Sequence, residues 1–212
     1  MKLLLDTANI KEIQEWYLYL RGEVHGVTTN PLLLHEAGIK SVDGKIKLIK
    51  QISEIDDRMD VFFQCTEENH IYELNDIWQG LNKKINLVAK VTMDLDHMHL
   101  FKIAEGRKGI KRAATTCYDL VQIHQAGEMD LDYTMVYYAK NDVKTLMQDA
   151  VKMKNDYCYD INLVAASFRT KNDYIDAIKS GIDMATVRPE HLNVIFKNNN
   201  VEADVKMLEE YM

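Results

Sequence analysis

A closed barrel of eight β-then-α units, a (β/α)8 TIM barrel finished by a short carboxyl-terminal helix, is the fold class that this 212-residue sequence predicts. Three observations predict it. Short apolar or β-branched runs alternate with longer helical patterns from end to end, the order expected of parallel strands joined by helices. Eight such runs leave about 26 residues per unit, near the low end of the roughly 200 to 400 residues that such barrels use. An open doubly wound sheet more often has five or six strands, and no G-x-G-x-x-G follows the first run here.

The strand candidates, in order, are residues 2–6, 25–29, 60–65, 85–91, 111–115, 133–136, 162–166 and 184–187. Between them, residues 10–20, 46–55, 95–104, 143–153 and 174–179 carry apolar side chains at three-to-four spacing, the stripe an amphipathic helix lays on a sheet. Asp94, Asn141 and Asn172 mark expected helix starts, since their side chains accept from free backbone N–H groups. The last stretch, residues 201–212, reads as one more helix with Val201, Val205 and Leu208 on one face, which either covers the barrel or docks on a neighbouring subunit. Residues 1–212 are expected to form one domain, and no repeat, linker or low-complexity tract interrupts them.

Composition narrows the function classes. With 47% hydrophobic and 28% charged residues, the chain can bury a core without a membrane or a disulfide frame. Its 26 Lys+Arg against 33 Asp+Glu give a net charge of −7, opposite in sign to the basic surface that grips nucleic acid. The run Leu3-Leu4-Leu5 ends at Asp6, too short for a signal-peptide core, and no later stretch reaches the roughly 18 apolar residues that span a bilayer. Cys65, Cys117 and Cys158 are odd in number and widely spaced, which suits a reducing cytoplasm. Seven histidines include no H-x-x-x-H pair, so neither a metal nor a cofactor is expected.

Barrel active sites assemble where the strands end, because the βα loops converge there. Going round, those ends carry Asp6, Thr28-Thr29-Asn30, Gln64, Lys90, Thr115, Tyr137, Ser167 with Arg169, and Arg188. Any one of them alone reads equally well as a helix cap or a solvated loop residue. Lys90 interrupts the run Ile85-Asn86-Leu87-Val88-Ala89-Lys90-Val91, which is otherwise strand-like. It either faces the barrel interior, where burial favours the neutral amine that attacks a carbonyl, or pairs with a carboxylate or snorkels outward. Cys65 stands close enough to Gln64 to line the same wall.

Leu5-Asp6-Thr7-Ala8, Gly26-Val27-Thr28-Thr29-Asn30-Pro31, Lys90 on the fourth strand and Ala165-Ala166-Ser167-Phe168-Arg169-Thr170, taken in this order, resemble the transaldolase family. Within it they are similar to the short-chain branch that contains fructose-6-phosphate aldolase, and the likeness runs from about residue 2 to residue 192. The resemblance implies a metal-free, imine-forming enzyme of sugar phosphates, built into rings of several subunits. It makes Lys90 the Schiff-base lysine, Asp6 a proton-transfer or orienting carboxylate, and Asn30, with Thr28 beside it, a partner of the donor sugar's hydroxyls. Gln64 and Tyr137 resemble the aldolase, where transaldolases tend to carry Glu and Phe. A tyrosine hydroxyl, with Gln64 and Thr115 holding a water, can protonate the enamine and release dihydroxyacetone. Tyr138 is adjacent, however, and a one-residue slip exchanges which ring points inward.

Two positions depart from the family's pattern. Thr92 stands where a proline is common, and Lys140 where an arginine is usual. Lys neutralises a phosphate as a point charge, without the two-pronged geometry of Arg. Ser167 and Arg169 lie after strand seven, where barrels frequently bind phosphate, and Arg188 after strand eight can join them, although its place before Pro189 equally suits a residue that steers the chain into the last helix. Three readings follow: a class I aldolase that cleaves or forms fructose 6-phosphate, a transaldolase moving the same three-carbon unit between sugar phosphates, and a weakly active sugar-phosphate-binding barrel.

Overall fold

The structure, a computed structural model, describes residues 1–81, 85–138 and 145–210. Eight parallel strands close into a barrel in sequence order: β1 (Lys2–Asp6), β2 (Val24–Thr28), β3 (Asp60–Cys65), β4 (Asn86–Thr92), β5 (Ile110–Cys117), β6 (Tyr133–Tyr137), β7 (Asn162–Ala166) and β8 (Met184–Val187). The helices are α1 (Ile10–Tyr19), α2 (Pro31–Glu36), α3 (Val42–Ile55), α4 (Glu68–Gly80), α5 (His99–Glu105), α6 (Leu120–Glu128), α7 (Leu146–Tyr157), α8 (Lys171–Ser180), α9 (Pro189–Phe196) and α10 (Asn199–Glu209). The barrel and its short terminal helix match the sequence expectation.

Strand alternation divides the core in two. Leu3, Leu5, Val61, Phe63, Leu87, Ala89 and Val91 face outward and pack under the helices, while Leu4, Phe62, Val88, Ala113, Met135, Val164 and Met184 fill the barrel interior. Below that apolar layer, Asp60 accepts from Lys111 Nζ at 2.7 Å and from the Tyr133 hydroxyl, and Lys111 also reaches that hydroxyl at 3.3 Å. These three side chains cross-link β3, β5 and β6 at the end where the strands begin.

Helix starts differ from those read in the sequence. Asn9, Asn30, Ser41, Asp119, Thr170 and Asn198 cap helices with their side chains. Thr170 takes the place expected of Asn172, because Thr170 and Asp173 form a reciprocal capping box. Asp94 instead caps a turn, accepting from His97 N at 2.9 Å, so α5 starts only at His99 and Leu95 is left in solvent. Asn141, Lys140 and the residue 143 start of the seventh helix lie outside the described residues. Helix α10 does not cover the barrel, and Val201, Val205, Met207 and Leu208 on it are exposed. Among the described residues no helix is long and apolar enough to cross a membrane.

Gly26 of β2 lies against the backbone of the next strand, since a Cβ there would lie 2.4 Å from the Asp60 carbonyl oxygen and 3.1 Å from Leu4 Cδ2. The obstacle is a backbone atom of the adjacent strand, which cannot turn aside. Gly26→Ala is expected to cost about 3 kcal/mol or more, at the upper end for overpacked cores, measured by urea unfolding. A midpoint within experimental error of wild type would show that β2 and β3 can part without penalty.

Candidate active site

In seven of the eight strands the inward positions end in a polar side chain at the carboxyl-terminal rim, β7 ending instead in Ala166, so alternation itself delivers most of the site. Asp6, Thr28, Asn30, Gln64, Lys90, Met135, Tyr137, Ala166, Ser167, Phe168, Arg169, Thr186, Arg188 and His191 line a cavity of about 360 Å³. That volume lies in the range of small-molecule sites, roughly 300 to 1,000 Å³.

Lys90 lies at the cavity floor, 5% exposed, with its Nζ donating to the Thr29 carbonyl at 2.5 Å. Among the described residues it forms no ion pair with a carboxylate. Burial lowers its pKa below the ordinary 10.5, and the more distant Asp6 charge opposes that shift. The inward reading of the lysine is the one the geometry holds. Gln64 is its register partner on β3, so the amide and the amine stand side by side on adjacent strands.

Asp6 is placed by a hydroxyl chain. Thr28 Oγ1 donates to Asp6 Oδ1 at 2.8 Å and lies 2.6 Å from Thr186 Oγ1. With Thr28 donating to the carboxylate, Thr186 is the donor to Thr28, so three strands fix one oxygen. Thr28, expected to touch substrate, has its hydroxyl engaged on Asp6 and orients the acid. Asn30 is likewise committed on one side: its Oδ1 caps α2 through Leu33 N at 3.0 Å, which leaves its amide group as the donor facing the cavity.

Tyr137, not Tyr138, faces inward. Thr115 Oγ1 donates to the Tyr137 hydroxyl at 3.2 Å, burial raises the phenol's pKa, and Tyr118 lies over the ring with centroids 5.3 Å apart. Tyr138 packs among the outer core residues and donates to Asp176 on α8 at 2.9 Å. Thr92 sits beside Thr115 in register. Gln122 pins the adjoining loops, accepting from Tyr118 N at 2.8 Å and donating to Met93 O at 2.8 Å and Thr116 O at 3.2 Å. Nothing in the sequence marked Gln122, because its role lies in loop geometry rather than in a strand end.

Ser167 and Arg169 follow β7 and open onto the same cavity. Ser167 adopts φ +71°, a left-handed backbone uncommon for a non-glycine residue, which turns the chain at the rim. Asp173 Oδ2 accepts from the backbone N–H of Arg169 at 2.9 Å and of Thr170 at 2.8 Å, fixing the loop. Lys140 lies outside the described residues. Cys65 does not join the wall: as an odd-parity neighbour of Gln64 it points outward into the helix layer, 1% exposed, where burial pushes its thiol up to about 12. Arg188, Thr186 and His191 do join it: of the two places the sequence offers Arg188, beside Ser167 and Arg169 or only at the helix start, the structure gives it a place on the wall, while Thr186 and His191 carry no such signal of their own. Strand parity was the available signal, since Thr186 and Arg188 alternate with the outward Val187. Among the described residues no group of three His, Cys, Asp or Glu side chains is arranged to hold a metal ion.

A solved thiamine phosphate pyrophosphorylase from Pyrococcus furiosus is similar in fold, with a TM-score of 0.60 at 15% identity over 88% of this chain and 85% of that one. A chain described as a native KDPGal structure gives 0.60 at 10% identity, covering 87% of this chain and 81% of the other. At such identities the likeness shows the barrel alone. A probable transaldolase of Bacteroides thetaiotaomicron is 28% identical over 221 residues, covering 100% of this chain and 98% of that protein, and one of Bartonella henselae is 28% identical over 207 residues, covering 93% and 90%. The family model described as transaldolase/fructose-6-phosphate aldolase matches residues 3–212, the span that holds Lys90, Asp6 and every other group on the cavity wall, and by that match the chain belongs to the transaldolase/fructose-6-phosphate aldolase family, as an enzyme of aldolase or transaldolase type.

Proposed function

We propose that the chain is a class I aldolase that cleaves or forms fructose 6-phosphate through an imine on Lys90. The carrying observation is the buried Lys90 amine, held by one carbonyl and, among the described residues, by no acid, at the floor of a cavity lined with polar groups. The neutral amine adds to the C2 ketone to give a carbinolamine, and a proton taken up from solvent by its hydroxyl lets water leave and the protonated imine form. Asp6 takes the C4 hydroxyl proton. The C3–C4 bond then breaks, its electron pair moves toward the imine nitrogen, and glyceraldehyde 3-phosphate leaves. The enamine that remains gains a proton at C3, and hydrolysis frees dihydroxyacetone and the amine. Tyr137, set by Thr115, is the proton donor of that last stage, with Gln64 holding the attacking water. Asn30 binds donor hydroxyls, while Ser167, Arg169 and Lys140 hold the phosphate. Neither cofactor nor metal enters any step.

The transaldolase reading is favoured by the names of the relatives, which are probable transaldolases. It keeps the imine but hands the enamine to a second aldehyde. The Tyr137 hydroxyl supports the aldolase reading, because a positioned acid shortens the enamine's life. The cytoplasm is the proposed compartment, supported by the unpaired Cys65, Cys117 and Cys158. A homo-oligomer is proposed on the exposed Val201, Val205 and Leu208 of α10, and light scattering that gives a monomer mass at micromolar concentration would reject it.

Borohydride in the presence of fructose 6-phosphate is expected to add one three-carbon or hexose unit to Lys90, read by peptide mass spectrometry. Lys90→Met is expected to lower ketose cleavage by 10³-fold or more, the scale on which a covalent catalyst is lost. Cleavage at the wild-type rate by that variant would end the imine mechanism.

The same variant also tests burial. Because burial lowers the pKa of Lys90 in the fold, the folded chain holds that proton less firmly than the unfolded one, so stability rises with pH between the lowered value and the ordinary lysine range near 10.5. Lys90→Met lacks that penalty. Its Tm is expected to exceed that of wild type at pH 7 by about 2–4 °C, with the gap closing as pH approaches that range. A gap independent of pH would mean the lysine is charged in the fold.

Tyr137→Phe is expected to slow dihydroxyacetone release by about 10²-fold, the usual contribution of a positioned acid, and to raise transfer to erythrose 4-phosphate relative to hydrolysis. Equal losses with and without the acceptor aldehyde would remove Tyr137 from the partition.

A further inference from the structure

Arg188 is a cation of the cavity wall whose surroundings leave its function open. Its inward direction follows from β8, where Met184 and Thr186 face the interior and Val187 the helices. By the pairing of Leu4 with Thr186 and Leu5 with Val187, it falls opposite Asp6 on one side. By the pairing of Val164 with Met184 and Ala165 with Ala185, it falls beside the Ser167–Arg169 turn on the other. The guanidinium is two-thirds withdrawn from solvent, yet its carboxylate neighbours stand off. Nε is 3.9 Å from Asp6 Oδ2 and Nη1 is 3.5 Å from Glu190 Oε1, and no hydrogen bond to the guanidinium is formed among the described residues.

A guanidinium has five N–H donors in a rigid fork, and withdrawing them without partners is costly. Two other arginines engage their forks within the fold: Arg58 binds Asp56 with two parallel bonds, and Arg112 donates to Met129 O and Asp130 O. Among the described residues the Arg188 fork has ion-pair neighbours but no acceptor at hydrogen-bond geometry, so its donors are open to an anion in the cavity. The helix it precedes, α9, has no side-chain cap at its start, so the local backbone dipoles also favour an anion there. His191, one turn on, lines the same wall.

We infer that Arg188 is a specificity-determining residue that grips the substrate's terminal phosphate from the β8 side, completing with Ser167 and Arg169 a site whose two guanidinium groups come from adjacent strands. A dianion is well matched to two forks, which hold it on different oxygens and orient the aldehyde end toward Lys90. The rival role is to position Asp6, which the 3.9 Å approach also permits. The two differ in what they demand: anion binding acts only on phosphorylated substrates, whereas positioning Asp6 acts on every substrate.

The test uses inorganic phosphate and the full-length chain, so that it does not depend on the aldol reading. Calorimetric titration of wild type, Arg188→Met, Arg188→Lys and Arg169→Met is expected to show phosphate bound about tenfold more weakly by Arg188→Met, as for a lost charged bidentate contact, with partial recovery in Arg188→Lys. Circular dichroism and Tm confirm that each variant is folded. In the second arm, which rests on that reading, dihydroxyacetone is condensed with glyceraldehyde 3-phosphate or with glyceraldehyde. Arg188→Met should raise KM for the phosphorylated aldehyde about tenfold with little change in kcat, and leave the unphosphorylated one as in wild type. Unaltered phosphate binding in Arg188→Met, or no binding by wild type, overturns the inference. So does an equal fall in kcat for both aldehydes with a displaced acid limb in the pH profile, which assigns Arg188 to Asp6. Weakened phosphate binding in a chain that condenses neither aldehyde upholds Arg188 and rejects the aldolase.

Discussion

An amino group held dry in a barrel interior sets the terms for the rest of the structure. Lys90 has traded bulk water for the carbonyl of Thr29, and among the described residues no carboxylate compensates it at close range. Such an arrangement is unfavourable on its own, and it persists because the surrounding barrel is over-determined. Both faces of β4 are fixed, Leu87, Ala89 and Val91 under the helices and Val88 in the inner layer, so the lysine cannot roll outward without dragging apolar side chains into solvent.

The same parity organises the acid and the phenol. Asp6 continues the inward sequence of Leu4, and Tyr137 continues that of Tyr133 and Met135. Each of these two side chains is then held by a threonine rather than by a second charge at hydrogen-bond distance: Thr28 on Asp6 and Thr115 on Tyr137. A hydroxyl orients without adding a unit charge, so the field at the amine stays close to what burial and Asp6 dictate. The hydroxyls come from neighbouring strands, and their spacing is set by the sheet's own register.

Much of this was legible in the sequence for reasons that are visible in the fold. The eight strands were found because barrel strands are buried on both faces and read as short apolar runs. The rim residues were found because strand ends were the place to look. Legibility failed where local sequence was outvoted. Asp94 has the chemistry of a helix cap, yet the chain makes a turn first and α5 begins later. Cys65 neighbours a site residue in the chain and points the opposite way in space. Thr28 has the chemistry of a substrate ligand, but its partner comes from a strand 22 residues away in the chain. Arg188 and His191 were undervalued because a proline beside an arginine looks like punctuation, and only the register of β8 against β1 and β7 shows what the arginine stands between.

The knot of Asp60, Lys111 and Tyr133 beneath the apolar layer has a bearing on traffic through the molecule. With the strand-starting mouth stoppered by charge and the shaft above it packed with Phe62, Val88 and Met135, the barrel is a cup rather than a pipe. Whatever enters the barrel and whatever leaves it share one doorway, so the occupant of the rim decides when the next visitor arrives. Traffic in such a vessel is sequential by plumbing alone: one guest must vacate before another can descend to the Lys90 nitrogen.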